Sequence, residues 1–242
     1  MNISCGCITE KGNYRSKNQD RIMCNCQKVG DNLLAIACVC DGIGSFANSE
    51  VASEMMVNGL TKWFAGIVQY YPNVMGKREL IDDLELTIRE LNELICQYGK
   101  VRKMELGCTM SLIFVMDWEY YIFHVGDSRI YLLQESMFQL TQDEVVLKQE
   151  SGREKTLLLN YIGKNNCLVL NRQRGSIKRG DTFILGTDGL NKKMTLEDIQ
   201  NIRTYFRTNE ELELECNRLI RTVMEREEKD NVSCGIMQIS DK

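Results

Sequence analysis

The order of elements in this 242-residue sequence predicts an α+β fold in which mostly antiparallel sheets are covered by helices. Three observations carry that reading. Segments with strand character do not alternate strictly with helical ones, which argues against a doubly wound parallel sheet. Two long helical patterns stand side by side in the middle of the strand-rich chain. The length suits one domain, residues 1–242, with a sizeable buried core.

The elements follow in order. Ile3–Thr9, Arg21–Cys26 and Asn32–Cys40 read as strands by β-branched content and bounding turns. Ser49 to about Tyr70 and Arg78 to about Val101 read as helices. In the second, Leu80, Leu84, Ile88, Leu91 and Ile95 recur at the three- or four-residue spacing of one buried face. Pro72, the only proline, falls between them, where a break is needed. Further strands are expected at Cys108–Met116, Tyr120–His124, Ile130–Gln134, Cys167–Arg174 and Thr182–Gly186. Short helices at Thr195–Ile202 and Asn209–Glu227 precede a last strand, Val232–Ile239. Thr195 and Asp198 have capping-box spacing. Ser49 and the acidic residues after it suit a helix start.

Charged residues make up 26% of the chain, apolar ones 43%, and the net charge is −4, so no nucleic-acid surface is expected. No stretch approaches the roughly 18 apolar residues that span a membrane. The first residues lack the pattern of a signal peptide, so a cytoplasmic location is the expectation. Eleven cysteines then read as reduced thiols.

Five segments place an aspartate at a strand boundary: Asn18-Gln19-Asp20, Asp41-Gly42-Ile43-Gly44, Gly126-Asp127-Ser128, Asp188-Gly189 and Asp230-Asn231. Singly, each is an ordinary turn former. If they converge, several carboxylates within a few ångströms repel unless a cation neutralises them. All-oxygen ligation selects hard ions such as Mg²⁺ or Mn²⁺.

These segments, in this order, resemble the type 2C, or PPM, family of protein serine/threonine phosphatases. Arg15-Ser16-Lys17-Asn18-Gln19-Asp20 is similar to its opening element, and Val39-Cys40-Asp41-Gly42-Ile43-Gly44 to its Asp-Gly-Met-Gly-Gly element. Leu106-Gly107-Cys108-Thr109, His124-Val125-Gly126-Asp127-Ser128-Arg129 and Leu140-Thr141-Gln142-Asp143 resemble central elements. Gly186-Thr187-Asp188-Gly189-Leu190 and Lys229-Asp230-Asn231-Val232-Ser233 resemble the last two. The resemblance implies a four-layer αββα sandwich, two antiparallel β-sheets flanked by helix pairs. It implies two Mn²⁺ or Mg²⁺ ions in the cleft between the sheets, and a weaker third. By match, Asp41 bridges the ions and the Gly42 carbonyl ligates one. Asp188 and Asp230 complete one site, Asp20 serves the other, and Asp127 belongs to the third. Arg15 grips substrate phosphate, a role suited to its planar donor fork. A two-metal-activated water then attacks phosphorus in phosphoserine or phosphothreonine of a protein. A phosphoprotein partner opposing a Ser/Thr kinase is implied, with no nucleic acid or membrane, and a monomer is expected.

The sequence departs from the family at Ser45, in place of a second glycine, and at Phe46, where a histidine is often the proposed general acid. The flap after Thr141 is expected to be small. These departures motivate an alternative: a catalytically weak or inactive member that binds phosphoproteins or a kinase. Cys96-x5-Arg102 has the spacing of a cysteine-phosphatase loop but lies late in a helix, the wrong context. The spaced pairs Cys5/Cys7, Cys24/Cys26 and Cys38/Cys40 read as buried small hydrophobes, His124 as structural, and Glu225–Asp230 as a solvated helix end.

Overall fold

The computed structural model describes residues 2–30, 32–46, 48–70, 76–150, 153–165, 168–200, 202 and 207–240. Strands β1 (Asn2–Glu10), β2 (Arg21–Val29) and β3 (Asn32–Cys40) come first, then helices α1 (Ser49–Tyr70) and α2 (Lys77–Arg102). Seven strands follow: β4 (Met110–Met116), β5 (Glu119–Val125), β6 (Arg129–Leu133), β7 (Met137–Gln139), β8 (Val145–Glu150), β9 (Arg153–Leu158) and β10 (Asn171–Ser176). The chain closes with β11 (Thr182–Gly186), α3 (Asp188–Asn191), α4 (Leu196–Ile199), α5 (Asn209–Glu225) and β12 (Val232–Ser240). Two five-stranded sheets form, ordered β1-β12-β11-β6-β7 and β10-β5-β4-β3-β2, and β8 pairs with β9 alone. Every ladder is antiparallel.

Period-two alternation explains the layers. Along β3, Leu34, Ile36, Cys38 and Cys40 face α1 and α2, where they meet Met56, Leu60, Leu84 and Ile88. Ala35, Ala37 and Val39 face the other sheet and meet Phe183, Leu185 and Met237. On β12, Val232, Cys234 and Ile236 turn outward to Leu212, Cys216, Leu219 and Val223 of α5, with Leu190 and Ile199 of α3 and α4 beside them. The result is an αββα sandwich: α1 and α2 on one outer face, α5 with short α3 and α4 on the other.

Several sequence expectations are corrected. The strand expected from Cys108 starts at Met110, because Cys108 makes isolated bridges to Gly42 and Ile162 instead of joining a ladder. The helix expected over Thr195–Ile202 spans only Leu196–Ile199; its Asp198 does accept from the Thr195 amide at 2.7 Å. The strand expected at Cys167–Arg174 is β10, displaced to Asn171–Ser176; Cys167 and Pro72 lie outside the described residues. Strands β7, β8 and β9 and helix α3 carry no clear alternation or periodicity. The polar Lys-Gln-Glu and Arg-Glu-Lys runs hide the β8–β9 hairpin. Among the described residues no helix is long and apolar enough to cross a membrane, and the ten described cysteines are all free.

Candidate metal centre

Asp41 is the first residue past β3, and the start of β4 holds it there. Its amide donates to Thr109 Oγ1 at 3.0 Å, and its carbonyl accepts from the Thr109 amide at 2.8 Å. The next turn is fastened by Ile43 N to Gly107 O at 3.0 Å. Gly42 is required by contact: a Cβ there would stand 2.7 Å from the Gln19 carbonyl oxygen. The Ser49 hydroxyl does not cap α1. It donates to the Ile43 carbonyl at 2.7 Å, and Ser53 Oγ donates to the Gln19 carbonyl at 2.6 Å. The first turns of α1 therefore clamp the loops that carry Asp41 and Asp20.

Asp20 is buried beneath the cleft. Its Oδ2 accepts from Thr187 Oγ1 at 2.9 Å and Ser233 Oγ at 2.8 Å. Asp188 opens α3 just past β11, and Asp230 immediately precedes Asn231 and β12. Glu228 was expected on a solvated helix end but is buried. Its carboxylate accepts from the Lys229 and Asp230 amides at 2.8 and 3.0 Å, which fixes the turn that presents Asp230. Asp127 sits in the β5–β6 turn behind Gly126, whose φ of 104° only glycine adopts readily.

Arg15, Asp41, Gly42, Asp127, Asp188 and Asp230 line one cavity of about 270 Å³, and Asp20 lies below it. Among the described residues no three or more Asp, Glu, His or Cys side chains are closed into a cation-holding cluster. Two aspartates are instead drawn to basic side chains. Arg15 Nη2 meets Asp230 Oδ2 at 2.6 Å, and Lys192, one helical turn past Asp188, pairs with Asp188 Oδ2.

The electrostatics show what the cavity suits. Burial, with charge from Asp188 and Asp230, pushes Asp20 up to about 7 against its two hydroxyl partners. Burial, then Asp20 and Asp188, holds Asp41 well above the usual carboxylate range, and burial takes Asp127 to about 6. Asp20 Oδ1 and Asp188 Oδ1 are buried with no hydrogen-bond partner. Orphaned carboxylate oxygens in a crowd of like charges fit divalent cations, and an all-oxygen donor set fits hard ones.

A pH test follows. In the folded chain burial pushes the Asp20 carboxyl up to about 7, against about 3.9 when unfolded. Between those values the folded state holds more protons, so stability present at low pH is lost as pH rises through about 7. Asp41 and Asp127 act in the same direction. Buried His124, held low by desolvation, opposes them only below its unfolded value of about 6.5. In EDTA the urea midpoint is expected to be higher near pH 5 than near pH 8. Mn²⁺ is expected to raise the pH 8 value most. Equal midpoints without metal would contradict this account.

The family described as protein phosphatase 2C matches residues 13–236. The chain belongs to this family. It is 24% identical over 211 residues to protein phosphatase PhpP of Streptococcus pneumoniae, covering 81% of this chain and 82% of that one. It is 29% identical over 216 residues to the serine/threonine phosphatase stp of Listeria monocytogenes, covering 83% and 82%. Its fold matches the catalytic domain of serine/threonine protein phosphatase PstP in complex with two manganese ions, at a TM-score of 0.75 and 21% identity over 99% of both chains.

In this protein phosphatase 2C chain, Phe46 packs edge-on against Tyr161 with ring centroids 5.9 Å apart. His124 is buried away from the metal cavity. Its Nε2 donates to the Gln142 carbonyl at 3.0 Å, and its Nδ1 lies 2.8 Å from Ser111 Oγ, so its place is structural. Cys96 is buried in α2, and burial pushes its thiol up, which removes the cysteine-nucleophile reading. Sequence reasoning missed Lys192, Thr109, Thr156 and Leu158, all of which line the metal cavity. Lys192 had a signal, its i+4 spacing from Asp188. Thr109 stood in the Leu106-Gly107-Cys108-Thr109 element but with no role read for it, and strand pairing and the β8–β9 hairpin bring in Thr156 and Leu158.

Proposed function

We propose that the whole chain, 1–242, acts as one phosphatase unit that hydrolyses phosphoserine and phosphothreonine esters in proteins. The observation that carries this is the cavity that joins Asp41, Asp127, Asp188, Asp230 and Arg15, with two orphaned carboxylate oxygens at and beneath it. PhpP and stp are named as phosphatases, and a PstP structure with two manganese ions shares the fold, which supports metal-dependent chemistry here.

In this reading Asp41 would serve both of two Mn²⁺ or Mg²⁺ ions, and the Gly42 carbonyl would serve one of them. Asp188 and Asp230 serve one, Asp20 the other, and Asp127 a weaker third. The bound ions supply a nucleophile ionised at neutral pH and neutralise charge on the phosphoryl group. The chain's own groups do the rest. Arg15 is partly exposed at the cavity mouth and donates its planar fork to phosphate, exchanging its Asp230 partner for substrate. The Thr109 and Ser49 hydrogen bonds hold the Asp41 loop still during the reaction. Thr156 and Leu158 of the hairpin wall the cavity and limit water. Phe46 has no proton to give, so protonation of the leaving alkoxide would fall to a water or to another group. The ten described cysteines, all free, suit the reducing cytoplasm, where the enzyme would work as a monomer against a Ser/Thr kinase.

The test is hydrolysis of p-nitrophenyl phosphate and a phosphothreonine peptide with Mn²⁺. Turnover is expected with metal and is lost in EDTA. Tight Mn²⁺ binding with no turnover of either substrate would favour the alternative, a phosphoprotein-binding module, which Phe46 motivates. Activity that survives EDTA would remove the metal mechanism.

A further inference from the structure

A second cavity, about 490 Å³ in volume, opens beside the metal loop. Phe46 and Tyr161 line it, and their edge-on contact forms an aromatic wall. Lys100, Lys103 and Lys164 also line it, with Glu105 as the one acidic side chain among the described residues. A basic residue in the last turn of α2 answers the negative end of the helix dipole, which accounts for Lys100 without a ligand. It does not account for Lys164, which reaches the same cavity from the segment after β9. The Lys164 ammonium lies 5.8 Å from the Tyr161 ring centroid. Among the described residues these three lysines make no ion pair with a carboxylate. Lys164 Nζ does donate to the Leu159 carbonyl, but three ammoniums still line one cavity with no carboxylate paired to them, on a chain whose net charge is −4.

The position ties this cavity to the metal centre. Ile43 and Gly44 line the metal cavity and Phe46 lines the basic one, joined by a tight turn with Phe46 N to Ile43 O at 2.9 Å. Two residues of chain span at most about 7 Å. The wall is also thin at Gly107: a Cβ there would meet the Tyr161 ring at 2.7 Å and Ile43 Cδ1 at 2.8 Å. An extended peptide advances about 3.3 Å per residue. Along the shared wall from Ile43 to Phe46, two or three residues of an extended substrate would lead from the metal cavity into the basic one.

We propose that this cavity is a specificity site for an anionic side chain, carboxylate or phosphate, two or three residues from the phosphorylated residue of the protein substrate. The proposal rests on the phosphoprotein phosphatase reading and adds the substrate class to it. Lysine ammoniums offer compact charge without a fixed fork, so both anions suit them. The aromatic wall receives the aliphatic stem of the anionic side chain.

The test uses fluorescein-labelled phosphothreonine peptides that differ at one position, on either side, two or three residues from the phosphothreonine. The variable residue is Glu, phosphoserine or Gln. With Mn²⁺ the Glu or phosphoserine peptides are expected to show a KM about five- to tenfold below the Gln peptide, as a few rim charges supply. kcat should change little, and the preference should fade at high salt. In K100E/K103E, and separately in K164E, the preference should vanish or invert while p-nitrophenyl phosphate hydrolysis is unchanged. Equal KM values for all peptides, or a preference that survives both variants, would overturn the proposal. A gain for phosphoserine alone would assign the site to phosphate and exclude carboxylates. If no substrate at all is hydrolysed, it is the phosphatase reading that fails. The site is then judged by fluorescence anisotropy in EDTA: tighter binding of the acidic peptides, lost in the lysine variants, upholds it, and equal binding overturns it.

Discussion

Asp41→Asn is expected to lower p-nitrophenyl phosphate turnover by about three orders of magnitude or more, as loss of a shared metal ligand removes both nucleophile ionisation and charge neutralisation. The same variant is expected to be more stable than the parent in EDTA at pH 8. Both signs come from one carboxylate. Its backbone is held by Thr109 through two hydrogen bonds that asparagine keeps, so the loop has no reason to move. Its charge is opposed by burial and by Asp20, Asp188, Asp127 and Asp230. Removing that charge relieves the free protein and deprives the metal-loaded one. Urea denaturation with and without Mn²⁺, beside steady-state rates, reads both. Parental activity would refute the assignment of Asp41. Lower stability in EDTA would refute the electrostatic account, since a structural aspartate loses stability when its charge is removed.

The opposite signs separate what local sequence could reveal from what only folding brings about. Strand limits at β3 and β11 and the start of α1 were readable, because strong apolar patterns end there at Asp41, Gly186 and Ser49. The aspartates were readable only as an ordered set. Any one of them is a turn residue, and their convergence depends on both sheets packing face to face. Thr156 and Leu158 were not readable as part of the site. They belong to a hairpin whose polar runs show little alternation and which sits outside both sheets. Lys192 also escaped, because its meaning depends on a four-residue helix that turns it back onto Asp188. Ser49 was misread since a serine at a helix start normally caps it. Here the Ile43 carbonyl is the nearer need, and the hydroxyl serves the metal loop. Glu228 was misread for a similar reason: charged helix ends are usually solvated, but this one supplies the acceptor that two turn amides would otherwise lack.

Asn231→Ala should show that the site is held by amides as much as by acids. Asn231 is buried just before β12. Its Oδ1 accepts from the Gln19 amide at 2.9 Å, and its Nδ2 donates to the carbonyls of Lys11 and Lys17 at 2.8 and 2.9 Å. One side chain therefore fastens the loop that carries Arg15 and Asp20 to the turn that carries Asp230. Alanine leaves three backbone groups without that partner, and at about 1 kcal/mol or more for each the loss is about 3 kcal/mol. The urea midpoint should fall accordingly. Mn²⁺ affinity should fall about 10- to 100-fold, the usual cost of losing a group that orients metal ligands. The Asn231→Asp variant divides the two effects. It keeps the acceptor for Gln19, loses both donations, and adds charge next to Asp230. Its stability should fall further than that of the alanine variant, because a carboxylate oxygen then faces the Lys11 and Lys17 carbonyls, and more steeply as pH rises in EDTA. If Asn231→Ala bound Mn²⁺ as tightly as the parent, the loop would be held by something other than Asn231, and Arg15 and Asp20 would owe their placement to the clamp from α1 alone.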